Sequence, residues 1–125
     1  MTKRLPAALV GGVFLGALGL TACDPSAQAD TPSTVQDAVT IAFGPLADQA
    51  MGVAQCESGL DPNAVSSGGG NWGLFQINTV HRDTFEAVTG QPWSNVLDPY
   101  ANANFAAWLY NQSGGWGPWA CSWAA

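Results

Sequence analysis

The chain has 125 residues, 47% of them apolar and only 10% charged, with a formal charge of −6 and six tryptophans. That length holds one domain. Two of the three basic residues are Lys3 and Arg4, so residues 23–125 set Arg82 alone against nine acids, a net of −8, which excludes nucleic-acid binding and docking on anionic lipid, both of which need clustered Lys and Arg.

Met1–Arg4 is a short basic start, and Pro6–Leu20 is an apolar run interrupted by Gly11, Gly12, Gly16 and Gly19. The run is shorter than the roughly 20 residues that span a bilayer, and its glycines would weaken a core helix, so residues 1–22 read as an export signal. Leu20-Thr21-Ala22-Cys23 has the form of a bacterial lipobox, which makes Cys23 the expected lipidated first residue of the exported protein. Ala27-Gln28-Ala29 is the competing cleavage site, and its use would release a soluble protein. Three cysteines leave one unpaired in an oxidising compartment, and a lipid on Cys23 accounts for the odd one. Cys56 and Cys121 are then expected to form a disulfide, contributing about 4 kcal/mol through loop closure. Residues 23–33, with Pro25, Pro32 and small polar neighbours, read as a tether, and residues 34–125 as the folded domain.

Ser33 and Gln36 fit a capping box that opens a helix through Val35, Ala38, Val39 and Ala42, ending at Gly44-Pro45. Pro45 suits the first position of a second helix, with Gly59 as its stop. Asp61-Pro62-Asn63 and Ser66–Gly70 are turn chemistry, and Trp72–Asn78 is a short extended or hairpin segment. Asp83 and Glu86 fit a capping box for a short helix ending near Gly90. Asp98 and Pro99 open a longer helix through Ala103, Ala106, Ala107, Leu109 and Tyr110, and the Gly-Pro-Trp-rich tail from Gly114 has no period. The chain reads as mainly helical, with at most a small β element.

Leu46, Ala50, Val53, Ala54 and Glu57 fall on one face of the second helix, so Glu57 continues an apolar stripe in the last turn. Burial and the negative end of the helix dipole both disfavour a carboxylate there, which suits general-acid chemistry. A helix-end Glu that turns out to water is the alternative. Asn71, Gln76, Asn78, Asn102 and Asn104 offer amides, and Trp72, Trp93, Trp108, Trp116, Trp119 and Trp123 offer flat apolar faces, a combination that suits a neutral carbohydrate. Most of these tryptophans are expected in the core; Trp72, between Asn71 and Gly73, is the one assigned to a sugar face. No metal or cofactor site is expected: His81 is the only histidine, the acids lack ligand spacing, and Gly68-Gly69-Gly70 lacks a phosphate-loop context.

Cys56-Glu57-Ser58-Gly59-Leu60, Gly73-Leu74-Phe75-Gln76-Ile77-Asn78 and Asp98-Pro99-Tyr100-Ala101-Asn102 together resemble the lysozyme-like superfamily. The likeness is strongest to the soluble lytic transglycosylase domains of bacteria, in particular the small actinobacterial kind, which close with the Gly-Trp-Gly-Pro-Trp-x-Cys form found here at Gly115–Cys121. The resemblance implies an α+β lysozyme-like fold and Glu57 as catalytic acid and base. It implies Ser58 as a support for the carboxyl or substrate, Gln76 as a lining residue of the sugar cleft, and Asn102 near the active site. Asn71, Trp72, Asn78 and Tyr110 complete the expected substrate contacts. The chain departs from the family pattern at Tyr110-Asn111-Gln112-Ser113-Gly114, which only approximates the usual A-Y-N-x-G segment.

Glycosidases generally use two carboxylates. C-type lysozymes, similar in the same region, carry an Asp where this chain has Asn71. Lytic transglycosylases manage with one, because the substrate's N-acetyl group stabilises the developing cation and its C6 hydroxyl closes an anhydro ring. The resemblance therefore implies an enzyme that cuts the MurNAc–GlcNAc β-1,4 bond of peptidoglycan by transglycosylation; the protein is expected to be a monomer and, from its lipobox, to be held on the outer face of the membrane through Cys23. The alternatives are a hydrolytic muramidase using Glu57 with Asp83 or Glu86, and a non-catalytic peptidoglycan-binding or wall-remodelling protein of the resuscitation-promoting type.

Overall fold

The structure, a computed structural model, describes residues 32–125. The export signal, Cys23, the alternative site at Ala29 and most of the tether lie outside the described residues. Helix α1 (Pro32–Phe43) takes in the last two tether residues. Ser33 is thus inside the first turn and not its cap, because Pro32 suits an N-terminal turn whose amides have no helical acceptor. Val35, Ala38, Val39 and Phe43 form its buried stripe.

A 3-10 turn at Gly44–Leu46 holds Pro45, so α2 begins at Ala47, two residues later than proline placement predicts, and runs to Ser58. Ala50, Val53 and Ala54 are buried on it. Gly59 terminates α2 in the left-handed region at φ 67°, with its amide on Gln55 O at 2.9 Å. Leu60 follows at φ 63°, which is costly for a residue with a Cβ. The pair reverses the chain sharply beyond Ser58.

Strands β1 (Asn71–Trp72) and β2 (Ile77–Asn78) form an antiparallel ribbon that pairs Asn71 with Asn78 and Trp72 with Ile77. Asn78 then caps a 3-10 turn at Thr79–His81 by accepting the Val80 amide. This turn leads directly into α3 (Arg82–Thr89), which places Asp83 inside the first turn. The predicted Asp83/Glu86 capping box is therefore not formed; Glu86 instead accepts the Trp93 amide at 2.7 Å, closing the connection beyond α3. In α4 (Pro99–Ser113) the expected start holds: Asp98 accepts the Ala101 amide at 2.9 Å and Pro99 takes the first position.

Helix α1 packs on α4, while α2 packs on α1 and α3 on α4. The core between them is aromatic. Phe43 sits 5.4 Å from Phe75 and 5.3 Å from Trp116, and Trp116 sits 5.2 Å from Trp119. A second group joins Phe85, Trp93 and Phe105. The predicted disulfide Cys56–Cys121 is present and brings the tail onto α2. The fold is mainly helical with one small sheet, as the sequence implies.

Candidate active site

Helix α2 delivers Glu57 at its last turn, half-buried. Its neighbours Cys56 and Ser58 fix the helix end in two directions. Cys56 is bonded to Cys121, and the Cys121 amide donates to Glu57 Oε2 at 3.1 Å. The disulfide thus carries a backbone donor to the carboxyl of the next residue. The same tail crosses α2 so closely that a Cβ at Gly52 would overlap the Ala124 carbonyl oxygen; only glycine admits this approach. Among the described residues Oε2 is the carboxyl oxygen that is hydrogen-bonded, and Oε1 has no such partner.

Ser58 does not reach outward. Its hydroxyl donates to Leu74 O at 2.7 Å and lies 3.1 Å from Ala54 O, and its oxygen accepts the Asp61 amide at 3.2 Å. It ties the carboxyl-bearing helix end to the segment after β1.

The segment from Asn71 to Asn78 gathers four of the predicted residues. Asn78 Nδ2 donates to Asn71 Oδ1 at 2.9 Å across the ribbon, so the amides of the strand pair brace each other. Trp72 Nε1 donates to Gly69 O at 2.8 Å, and its ring meets Trp93 edge-on at 6.5 Å; the residue is partly buried. Gln76 is the second non-glycine residue with positive φ, at 51°. Its own side chain offsets that strain by donating to Ala64 O at 3.2 Å and Gly73 O at 3.1 Å, bonds that use Nε2 and not Oε1.

Asn102 is the largest departure from the predicted substrate contacts. It is fully buried, and every polar atom of its amide is used. Oδ1 accepts the Phe75 amide at 2.8 Å, while Nδ2 donates to Val96 O at 2.7 Å and Trp72 O at 3.1 Å. No sugar can reach it. Its task is to lash α4 to the ribbon, and Gly73 is required beside it because a Cβ there would strike the same amide nitrogen. Tyr110 is partly buried in the aromatic group with Phe43 at 6.3 Å and Trp116 at 4.7 Å.

Of the other tryptophans, Trp116 and Trp119 are core residues that donate to Gln49 Oε1 and Phe75 O, both at 3.0 Å. Trp123, 78% exposed, presents far more of its ring than Trp72 does. The Cys121 amide, the tight crossing at Gly52 and the anchoring by Trp119 have no local sequence signal, apart from the position of Cys56 next to Glu57. Among the described residues no cluster of His, Cys, Asp and Glu could hold a metal ion.

The arrangement is a half-buried carboxyl with one oxygen pinned, a braced pair of amides and a strained, amide-rich loop beside an aromatic face. A family model described as "Transglycosylase SLT domain" matches residues 40–124, more than half of the chain and all of the elements that build this site. No curated protein and no solved structure matches the chain.

Proposed function

We propose, on the premise that this chain belongs to the transglycosylase SLT domain family, that it cleaves the MurNAc–GlcNAc β-1,4 bond of peptidoglycan with formation of 1,6-anhydro-MurNAc. Glu57 serves as the single general acid and base. The observation that supports this most directly is the half-buried Glu57 carboxyl, held on Oε2 by the Cys121 amide with no such partner on Oε1, within the matched segment.

In this reading the Glu57 carboxyl donates its proton to the glycosidic oxygen as the C1–O bond breaks, and the GlcNAc hydroxyl leaves. The substrate's own N-acetyl oxygen stabilises the positive charge that develops at C1. The MurNAc C6 hydroxyl then bonds to C1 and returns its proton to Glu57, so the carboxyl is regenerated and no water is consumed. Asn71 supports the single-carboxyl scheme. It stands where C-type lysozymes carry an Asp, and its amide oxygen is occupied by Asn78. Glu86, one of the acids a hydrolytic route would need, is engaged with the Trp93 amide. Gln76 Oε1, Asn71 and the ring of Trp72 are the groups proposed to contact the sugars.

The test is mass spectrometry of the fragments that the exported protein releases from purified peptidoglycan. Muropeptides one water lighter than hydrolysis products, ending in 1,6-anhydro-MurNAc, are expected. Ordinary reducing ends would assign a hydrolytic muramidase instead, and the absence of any release would leave only a binding role. Export and anchoring through Cys23 are part of the same proposal. Cys23→Ala is expected to move the protein from the membrane fraction to the medium, and an unchanged distribution would favour processing at Ala29.

A further inference from the structure

We propose that a groove centred on Tyr100 is a second glycan-binding site, which holds a neutral, N-acetylated polysaccharide strand on a face of the domain turned away from the ribbon beside Glu57. Two surface depressions meet at this residue. One, of about 530 Å³, runs over the start of α1 past Gln36, Asp37 and Thr40. The other, of about 420 Å³, runs past Gln91, Asn95 and Asn104 between the end of α3 and the start of α4. Glu57 lines neither.

The direction follows from helix geometry. Asn102 points from α4 into the core toward Trp72 and Phe75. Tyr100 lies two positions earlier, about 200° around the helix axis at 3.6 residues per turn, so it faces the other way. Its ring is 41% exposed, and it is not loose: the phenol donates to Asp37 Oδ2 at 3.1 Å, bridging α4 to α1. That hydrogen bond, before all else, raises the Tyr100 pKa above its ordinary value. The result is a fixed aromatic plate between two beds of amide and hydroxyl side chains.

This chemistry selects the ligand. A pyranose lays its C–H face on an aromatic ring and meets amides with its hydroxyl and N-acetyl groups. Phosphate or anionic polymer is disfavoured, because the two depressions contain Asp37 and Asp98 and no Lys or Arg. Tyr100 lines both depressions, so a strand engages both where a single sugar fills one. That the strand is peptidoglycan glycan rests on the function proposed above. A second grip of this kind would hold the domain on an insoluble wall between cleavage events.

The experiment uses the full chain carrying Glu57→Gln, so that the polymer stays intact, in co-sedimentation with purified insoluble peptidoglycan. Adding Tyr100→Ala is expected to weaken binding at least fivefold. Tyr100→Phe, which keeps the ring but loses the Asp37 bond, is expected to stay within twofold of the parent. Asn104→Ala, at an exposed position, gives an independent reading and is expected to weaken binding about threefold. Thermal melts verify that each variant is folded. Undiminished binding by both the Tyr100→Ala and Asn104→Ala proteins would overturn the second site while leaving the catalytic proposal standing. Failure of the Glu57→Gln parent to sediment, together with no cleavage by the wild type, would overturn both.

Discussion

Glu57→Gln is expected to lower the rate of glycan-strand cleavage by roughly 10²–10⁴-fold, the contribution of a positioned general acid and base, with little change in melting temperature. The asymmetry follows from the contacts. Gln has the same length and retains an amide oxygen that can accept the Cys121 N–H now bound to Oε2, so the tail keeps its tie to α2. The disulfide, the close crossing at Gly52 and the Ser58 hydroxyl bonds do not involve the Glu57 side chain at all. What is lost is the ionisable oxygen that the proposed acid and base role requires. The check is release of soluble fragments from purified peptidoglycan, with binding measured on the same preparation. Turnover near the wild-type rate would remove Glu57 from the mechanism.

Asn102→Ala is expected to cost roughly 3–5 kcal/mol of unfolding free energy, a large share of the stability of any domain of this size. The side chain is the only partner we find for the buried Phe75 amide and shares in satisfying the carbonyls of Val96 and Trp72. Alanine would strand those groups away from water, at roughly 1–3 kcal/mol for each left unsatisfied. Gly73 adds to the effect, since its close packing on the amide disappears and leaves a void. Asn104→Ala is the control on the same helix: it is exposed, and should stay within about 0.5 kcal/mol of the parent. Urea denaturation of both measures the difference. A loss below 1 kcal/mol for Asn102→Ala would mean that packing alone holds the ribbon against α4.

These two residues separate what is local from what is not. The placement of Glu57 is legible in the sequence because its signal is local: it extends an apolar face by one turn before a terminating glycine, and it sits in an E-S pair that resembles a known motif. Asn102 is legible as a motif position but not in its role. An Asn in an apolar helix is compatible with a cleft-lining amide or with a buried crossbrace, and only the placement of Phe75, Trp72 and Val96 around it decides between them. Asp83 and Glu86 show the reverse error. Their spacing satisfies a capping box, but Asn78 caps the preceding turn and starts the helical chain earlier, so the spacing is met without its structure.

The sequence by itself determined that the helices exist, their glycine stops, the Asp98–Pro99 start, the disulfide pairing and the position of Glu57 on its helix face, though not where the first three helices begin. Each of these rests on side-chain chemistry within a few residues, or, for the disulfide, on the number of cysteines. Tertiary structure alone decided that the Cys121 amide meets Glu57 across 64 positions, that Trp119 anchors to Phe75 across 44, and that Asn102 is sealed inside while Tyr100 is left outside. Such contacts depend on the crossing of several packed elements at once, to within a few tenths of an ångström, and no short stretch of residues encodes that geometry.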